Sequence, residues 1–382
     1  MSENPLGRIE SCFAEINDPR VAARCDHKLI DILCVALCAV LSGADQWTDI
    51  ESYGKAKFTW LRTFLELPNG IPSHDTFGRV FARIDPDEFR QGFMTWVRSI
   101  YLQMITGEYR QINLDGKTLR RSHDRAAGQD PLHVVSAWST DCRLVLGEIA
   151  VKDKSNEITA IPCLLKLLDL EGAIITIDAI GCQHKIASQI IQSGGDYILQ
   201  VKGNQPTLFE RLEKLFIGTE EGGYAHTVYD KSVKYNKDHG RFETRQCFVV
   251  TDEDWLLYLQ RDPNNPRWVG LRSVVKMVRQ HDRDAEPETS YYISSLAIGA
   301  EQMLDYIRGH WGIENSLHWV LDMAYREDES RTRVGHAQEN LSILRHLTLN
   351  LLKQDTSLKL GIHAKRLRCG WDHAYVVEVL GL

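Results

Sequence analysis

Hydrophobic positions in the first hundred residues recur at helical spacing. LIDILCVALCAVL (29–41) is apolar almost throughout. FTWLRTFLEL (58–67) and DEFRQGFMTWVRSIYLQMI (87–105) gather their apolar residues on one face, with turn chemistry between them at Pro68, Asn69 and Gly70. The pattern predicts a helical N-terminal domain over residues 1–105. Within it, IPSHDTFGRVFARI (71–84) reads as Ser73 capping a short helix that carries Arg79 and Arg83. That segment is compatible with a helix-turn-helix element, but the reading the sequence favours is a packed helix with solvated charges. The run 29–41 is short of the roughly 20 apolar residues that span a bilayer and contains Asp31, so it is expected to be a buried helix, with no membrane partner.

From about residue 109 the period shortens. YRQINLDG, LHVVSAWS and RLVLGEIAV read as three successive strands. They are followed by a helix in NEITAIPCLLKLLDL, a strand in AIITIDAIG, a helix in CQHKIASQIIQSG and a strand in DYILQVKG. This is a mixed sheet flanked by helices over residues 106–204. Residues 205–298 break that rhythm with the alternating segments RQCFVVTD, VGLRSVVKMV and TSYYISSL and the expected loop KYNKDHGRFETR, which predicts an inserted β-rich subdomain. Residues 299–382 are helical again: a long amphipathic stretch from Glu301 to about Leu352, interrupted by REDESRTR (326–333), and then the basic patch HAKRLRCGW with Lys365, Arg366 and Arg368. The fold class expected is mixed α/β.

Bulk composition narrows the function. At 382 residues, 43% hydrophobic and 25% charged, the chain is an ordinary folded protein of two or three domains. A formal charge of −7 argues against a generic nucleic-acid coat, so any DNA contact must be local. Nine cysteines without a CxxC pair, and no amino-terminal signal peptide, fit reduced thiols in the cytoplasm rather than disulfides or zinc. No GxxxxGK[ST] loop supports nucleotide hydrolysis, and no GxSxG elbow supports a serine hydrolase.

The chemistry concentrates on acids. Asp115 in INLDGK and Asp178 in IITIDAIG each follow an apolar strand and precede a glycine closely. Strand ends of open α/β sheets face the ligand crevice. Two carboxylates on neighbouring strands repel one another, and a divalent cation neutralises the pair. Taken singly, Asp115 reads first as a turn residue and Asp178 equally as a helix N-cap. A third ligand is sought in RGHWGIENSLHWVLDMAYREDESR. There Glu314, His318 and Asp322 fall at i, i+4 and i+8 and form one polar stripe among Trp311, Ile313, Leu317, Trp319 and Leu321, whose character predicts burial. Glu314 is preferred, and Asp322 is a rival as an additional acid.

These residues resemble the DDE transposases of bacterial insertion sequences, most closely the H-repeat-associated branch. The likeness is carried in order by LDGKTLRRSHD (114–124), HVVSAW (133–138), KSNEITAIPCLL (154–165), TIDAIGCQ (176–183), GGDYILQVKGNQ (194–205), HGRFETR (239–245), YYISSL (291–296) and HWGIENSLHWVLDMAYREDESRTR (310–333). It implies a ribonuclease-H-like core, with the first Asp on the first strand, the second after the fourth strand and the Glu on a later helix. Asp115, Asp178 and Glu314 match those places. It further implies a β-rich insertion before the helix that bears the Glu. One departure stands out: Leu321 occupies the position seven residues beyond Glu314 where the related enzymes carry Lys, and Arg308, His310, Arg326, Arg331 and Arg333 are candidates to replace it.

The expected activity is therefore DNA transposition. Asp115, Asp178 and Glu314 would hold two Mg²⁺ ions, with Mn²⁺ able to substitute, for phosphodiester hydrolysis at transposon ends and transfer of the 3′-hydroxyl into target DNA. Lys117, Arg120, Arg121 and His123 form a basic strip suited to backbone phosphate, and Arg79 and Arg83, with Lys365, Arg366 and Arg368 near the end of the chain, are further candidates for DNA contact. A dimer assembled on DNA is implied by the resemblance. Two alternatives stay open: a metal-dependent nuclease of the same fold without strand transfer, and a non-catalytic DNA-binding derivative.

Overall fold

A computed structural model describes residues 13–21, 25–105, 110–123, 128, 130–151, 157–222, 227–238, 241–261, 267–281 and 286–381. The chain divides into two compact units, the first formed by residues 1–105, 116–156 and 314–382 and the second by residues 106–115 and 157–313.

The first unit opens with helices α1 (Leu29–Leu41), α2 (Trp47–Ala56), α3 (His74–Phe81) and α4 (Pro86–Met104). Every residue of α1 from Asp31 to Leu41 is buried, as its unbroken apolar run requires. The one acid there, Asp31, accepts a hydrogen bond from the Leu67 amide at 3.0 Å, and burial pushes its carboxyl above the ordinary range. Among the described residues no helix is long and apolar enough to cross a membrane. Ser73 caps α3 through the Thr76 amide at 3.3 Å, as expected from the sequence.

Strand β1 (Arg110–Thr118) carries the chain from the second unit into the first, where it is followed by β2 (His133–Ser139) and β3 (Leu144–Val151). The hairpin β2–β3 is antiparallel, and β2 returns beside the end of β1: the Leu119 amide donates to the Leu132 carbonyl at 2.8 Å, and the Thr118 hydroxyl lies 2.8 Å from His133 Nδ1.

In the second unit α5 (Glu157–Leu167), β4 (Ala173–Ile177), α6 (His184–Gln192) and β5 (Asp196–Val201) alternate, with β1, β4 and β5 mutually parallel. A first strand, then an antiparallel hairpin β2–β3, then two strands parallel to the first is the connectivity of a ribonuclease-H-like core, and the fold is mixed α/β. All five residues of β4 are buried, consistent with a parallel strand covered on both faces.

Helix α7 (Pro206–Glu221) and strands β6 (Tyr229–Asp238), β7 (Arg241–Val250), β8 (Ser273–His281) and β9 (Glu288–Ser294) follow. Strand order within this unit is β1-β4-β5-β9-β8-β7-β6, so the inserted strands continue the sheet from the edge of β5. The segment KYNKDHGRFETR, expected as a loop, contributes instead to two paired strands, β6 and β7; His239 and Gly240 within it lie outside the described residues. Its polarity misleads because β6 is an edge strand, and lysines on an edge discourage pairing with other chains. Helix α7 was also unexpected, although Leu208, Leu212, Leu215 and Phe216 hold a helical period and are all buried. Helix α8 (Ala300–His310) closes this unit by packing Met303, Leu304 and Ile307 against Ile174, Val249 and Val275 of the sheet.

The chain then re-enters the first unit through a π-helical turn at Glu314–His318 and helices α9 (Trp319–Tyr325), α10 (Ala337–Gln354) and α11 (Ile362–Trp371). Almost all of α10 is buried. Its polar residues are therefore paired internally: Asn350 exchanges hydrogen bonds with the Val145 backbone at 2.9 and 2.8 Å, and Asn340 donates to the carbonyls of Phe81 and Ile84 at 2.8 and 3.0 Å. Those bonds fasten β3 and the end of α3 to one helix.

Candidate active site

Asp115 and Asp178 are placed by strand register. Leu114 pairs with Ile177 where β1 and β4 run in parallel, so the two aspartates are the next residues along neighbouring strands, which lie about 4.8 Å apart. Both side chains are half-buried. Asp115 is inside β1, three residues before its end, rather than in a turn. Asp178 follows the last residue of β4 and caps a short 3₁₀ turn, Ala179–Gly181, accepting from the Ile180 amide at 3.1 Å.

Side chains alternate along strands, so Gln111 and Asn113 share a face with Asp115, and Thr176 shares one with Asp178. Sequence reasoning passed over these polar residues. Asn113, fully buried, accepts from the Thr176 hydroxyl at 2.7 Å and from Gln111 Nε2 at 2.8 Å, and it donates to the Gly309 carbonyl at 3.0 Å. Gln111 Nε2 also donates to the Tyr306 carbonyl at 2.7 Å. Because the Thr176 proton goes to Asn113, the imidazole of His310, 2.8 Å away at Nδ1, is the donor to the Thr176 oxygen. A polar ladder thus locks the two acid-bearing strands to the end of α8. The carbonyl of Gly309 reaches Asn113 only because that residue lacks a side chain: a Cβ there would lie 2.3 Å from Gln111 Oε1.

Glu314 and His318 lie at the ends of one π-helical turn, 3.1 Å apart from Oε2 to Nδ1. A wide turn of this kind is frequent at functional sites. The His318 hydrogen bond holds the Glu314 carboxyl below its usual range, against a smaller opposing effect of burial. The expected buried stripe is only partly realised. Ile313, Leu317, Leu321 and His318 are buried, whereas Glu314 is exposed and Trp311 and Trp319 are 50% and 58% exposed. Asp322 is occupied differently from Glu314: its Oδ1 is 2.5 Å from Lys117 Nζ, which also lies 2.9 Å from Glu327 Oε2. Burial opposes the charge on Lys117, but Glu327 and Asp322 outweigh it and raise the amine above its ordinary value. Burial raises the Asp322 carboxyl, with Lys117 acting against that.

Of the basic strip, Lys117 is thus turned inward to two carboxylates. Arg120 and Arg121 remain exposed, Arg120 with Asp328 Oδ2 at 3.3 Å, and His123 Nδ1 lies 3.0 Å from the Arg120 carbonyl. Arg79, Arg83, Arg121, Arg326, Arg331 and Arg333 are brought together on the walls of one cleft in the first unit. Arg308 reaches toward Asn236 at 3.5 Å in the second unit, and His310 belongs to the ladder. The patch HAKRLRCGW requires correction as a DNA-contact candidate. Lys365 and Arg366 are 5% and 3% exposed: Lys365 bonds the Leu352 carbonyl at 3.0 Å, and Arg366 bonds the carbonyls of Val40 and Ala44 and the carboxylate of Asp45. Backbone acceptors at helix ends consume their charge; of the three, Arg368 alone stays half-exposed, paired with Asp372 at 2.7 Å.

A ribonuclease-H-like sheet with carboxylates where the pairing of its parallel strands ends is the setting of nucleic-acid phosphoryl transfer, and the sequence comparisons agree. The chain belongs to the transposase DDE domain family, whose model matches residues 106–351, and the DDE_Tnp_1-associated model matches residues 10–97. "H repeat-associated putative transposase YhhI" of Escherichia coli K12 is 39% identical over 381 residues, 98% of each chain. "Putative transposase YncI" of Escherichia coli O157:H7 is 40% identical over 96% of this chain and 92% of its own. "H repeat-associated putative transposase YbfD" of Escherichia coli K12 is 43% identical over 66% of this chain and 97% of its own. Among solved structures, a piggyBac transposase synaptic complex with hairpin DNA aligns over 99% of this chain and 81% of that one at a TM-score of 0.47 and 10% identity; family membership rests on the sequence matches.

Proposed function

We propose that this chain is a DNA transposase that hydrolyses phosphodiesters at transposon ends and transfers the resulting 3′-hydroxyl into target DNA, with Asp115, Asp178 and Glu314 as its catalytic acids. The observation that carries the reading is the register that sets Asp115 beside Asp178 just past the end of the parallel β1–β4 pairing, in a chain of this family.

The donor set fits a hard divalent cation. Two half-buried carboxylates on adjacent strands repel one another, and oxygen ligands of this kind select Mg²⁺, or Mn²⁺ in its place, over softer metals. Two such ions, when bound, supply activation of the attacking oxygen and stabilisation of the leaving one. The protein's own part is orientation. The Ile180 amide fixes the Asp178 carboxylate, the Asn113–Thr176–His310 ladder fixes the strands beneath, and the His318 bond keeps Glu314 ionised. His318 joins the three acids as a further candidate ligand, and Asp322, held by Lys117, takes a supporting place.

In this reading residues 1–105 and the exposed basic residues serve DNA recognition, 106–204 and 299–382 make up the catalytic core with its C-terminal segment, and 205–298 form the insertion. The active species is a dimer on DNA in the cytoplasm. Single changes Asp115→Ala, Asp178→Ala and Glu314→Ala test the proposal in Mg²⁺-dependent nicking of DNA carrying the element's ends. Loss in all three is expected, and retained cleavage removes that residue from the site. Joining of a pre-cut 3′-hydroxyl end to a second duplex separates a transposase from a nuclease that only cuts.

A further inference from the structure

The chain as a whole carries a charge of −7, yet one cleft of about 900 Å³ in the first unit is lined by seven arginines against three carboxylates. Arg79 and Arg83 come from α3 and its end. Arg326, Arg331 and Arg333 come from the segment between α9 and α10. The three acids are already engaged: Asp45 accepts from Arg366 at 3.0 Å, Glu329 from Arg326 Nε at 3.1 Å, and Asp75 lies 3.6 Å from His74. The side chains of Arg83 and Arg331 make no ion pair or hydrogen bond among the described residues.

At the wall of this cleft lies Arg345, 1% exposed on α10, and sequence reasoning missed it altogether. Neither Nη1 nor Nη2 has a hydrogen-bond partner among the described residues, and its nearest carboxylate oxygen, on Glu327, is 3.8 Å from Nη1. Arg333 Nε is likewise buried without a partner. A buried guanidinium left without hydrogen bonds is costly, and an anion with several acceptor oxygens removes that cost. Phosphate matches the planar fork of arginine in two parallel bonds.

We infer that this cleft seats the sugar-phosphate backbone of duplex DNA, with one phosphate anchored by Arg345 and Arg333 and its neighbours gripped by Arg83 and Arg331. The inference rests on the reading of the chain as a DNA-acting transposase, and it gives Arg345 a place in that reading. The shape of the cleft depends on Gly335. This residue has a φ of +52°, and a Cβ there would lie 2.5 Å from the Ala82 carbonyl oxygen, the group to which the His336 amide donates at 3.1 Å. The arginine-bearing segment is thereby pinned against the end of α3.

The test is the salt dependence of binding of the full chain to a short fluorescein-labelled duplex, measured by anisotropy in EDTA so that no cleavage intervenes. Each phosphate contact contributes about 0.9 to the slope of log K against log salt. Arg331→Ala/Arg333→Ala should flatten the slope by about 1.8, and Arg345→Met by about 0.9. Arg98→Ala/Lys359→Ala removes the same charge from exposed positions outside the cleft and should leave the slope as in the wild type. Because Arg345→Met risks misfolding, the Arg331→Ala/Arg333→Ala double change decides. A wild-type slope in Arg331→Ala/Arg333→Ala, or an equal loss in the control, overturns the cleft assignment. If the acids prove essential to cleavage while the cleft variants bind as wild type, the cleft falls alone. Dispensable acids with a flattened slope sink the catalytic reading and leave the cleft standing, and no duplex affinity in the wild type sinks both.

Discussion

The hydroxyl of Thr176 lies 2.8 Å from Nδ1 of His310, on the strand face that ends two residues later at Asp178. Removing that hydroxyl takes an acceptor from the half-buried His310 ring and a donor from the buried Asn113 side-chain carbonyl. Thr176→Val should therefore cost about 1–3 kcal/mol of stability, read from urea denaturation. A change within error would show that the ladder does not hold the strands.

Gly309 and Gln111 form a second pair to test. Gly309→Ala places a methyl group 2.3 Å from Gln111 Oε1, inside any real contact, and should destabilise the second unit by about 1–3 kcal/mol. Shortening the neighbour relieves the clash, so the double variant Gly309→Ala/Gln111→Ala should cost less than the sum of the two single changes. Additive losses would count against a direct clash.

Lys117 stands between Asp322 and Glu327, and the latter is 2% exposed. Lys117→Met leaves Glu327 buried with only the distant Arg345, at a cost of about 3 kcal/mol or more. Asp322→Asn keeps an acceptor for the amine and should be much milder, with metal-dependent nicking retained. Nicking abolished in folded Asp322→Asn protein would return that residue to the list of essential acids.

The Glu314 carboxyl titrates below its ordinary value of 4.5 because His318 bonds it. Since the folded value lies below the unfolded one, the stabilisation is fully present above pH 4.5 and disappears as pH falls through the folded value. His318→Ala should raise the Glu314 midpoint toward 4.5, observable by carboxyl-carbon NMR. An unmoved midpoint excludes the imidazole as the cause.

Gly335→Ala combines a left-handed backbone with contact against the Ala82 carbonyl. A loss of about 1–3 kcal/mol in thermal unfolding is expected, together with weaker duplex binding. Wild-type stability would mean that the segment is not pinned there.

The sequence by itself determined most of the elements and the family. Periodicity placed the buried helix at 29–41 and the strands bearing Asp115 and Asp178, because side-chain alternation and helical spacing are local consequences of backbone geometry. Ordered motifs then gave the DDE assignment. Polar strands were harder to read, since β6 at a sheet edge has no buried face to show, and Lys365 and Arg366 looked like surface charge because nothing local reveals that distant carbonyls will take them up. Tertiary structure decided which polar residues are partners: Thr176 with Asn113 and His310, Lys117 with Asp322 and Glu327, and a buried Arg345 beside arginines that the chain order keeps far apart. A side chain's burial and its hydrogen-bond partner are properties of packing between remote segments, and no periodicity along the chain encodes them.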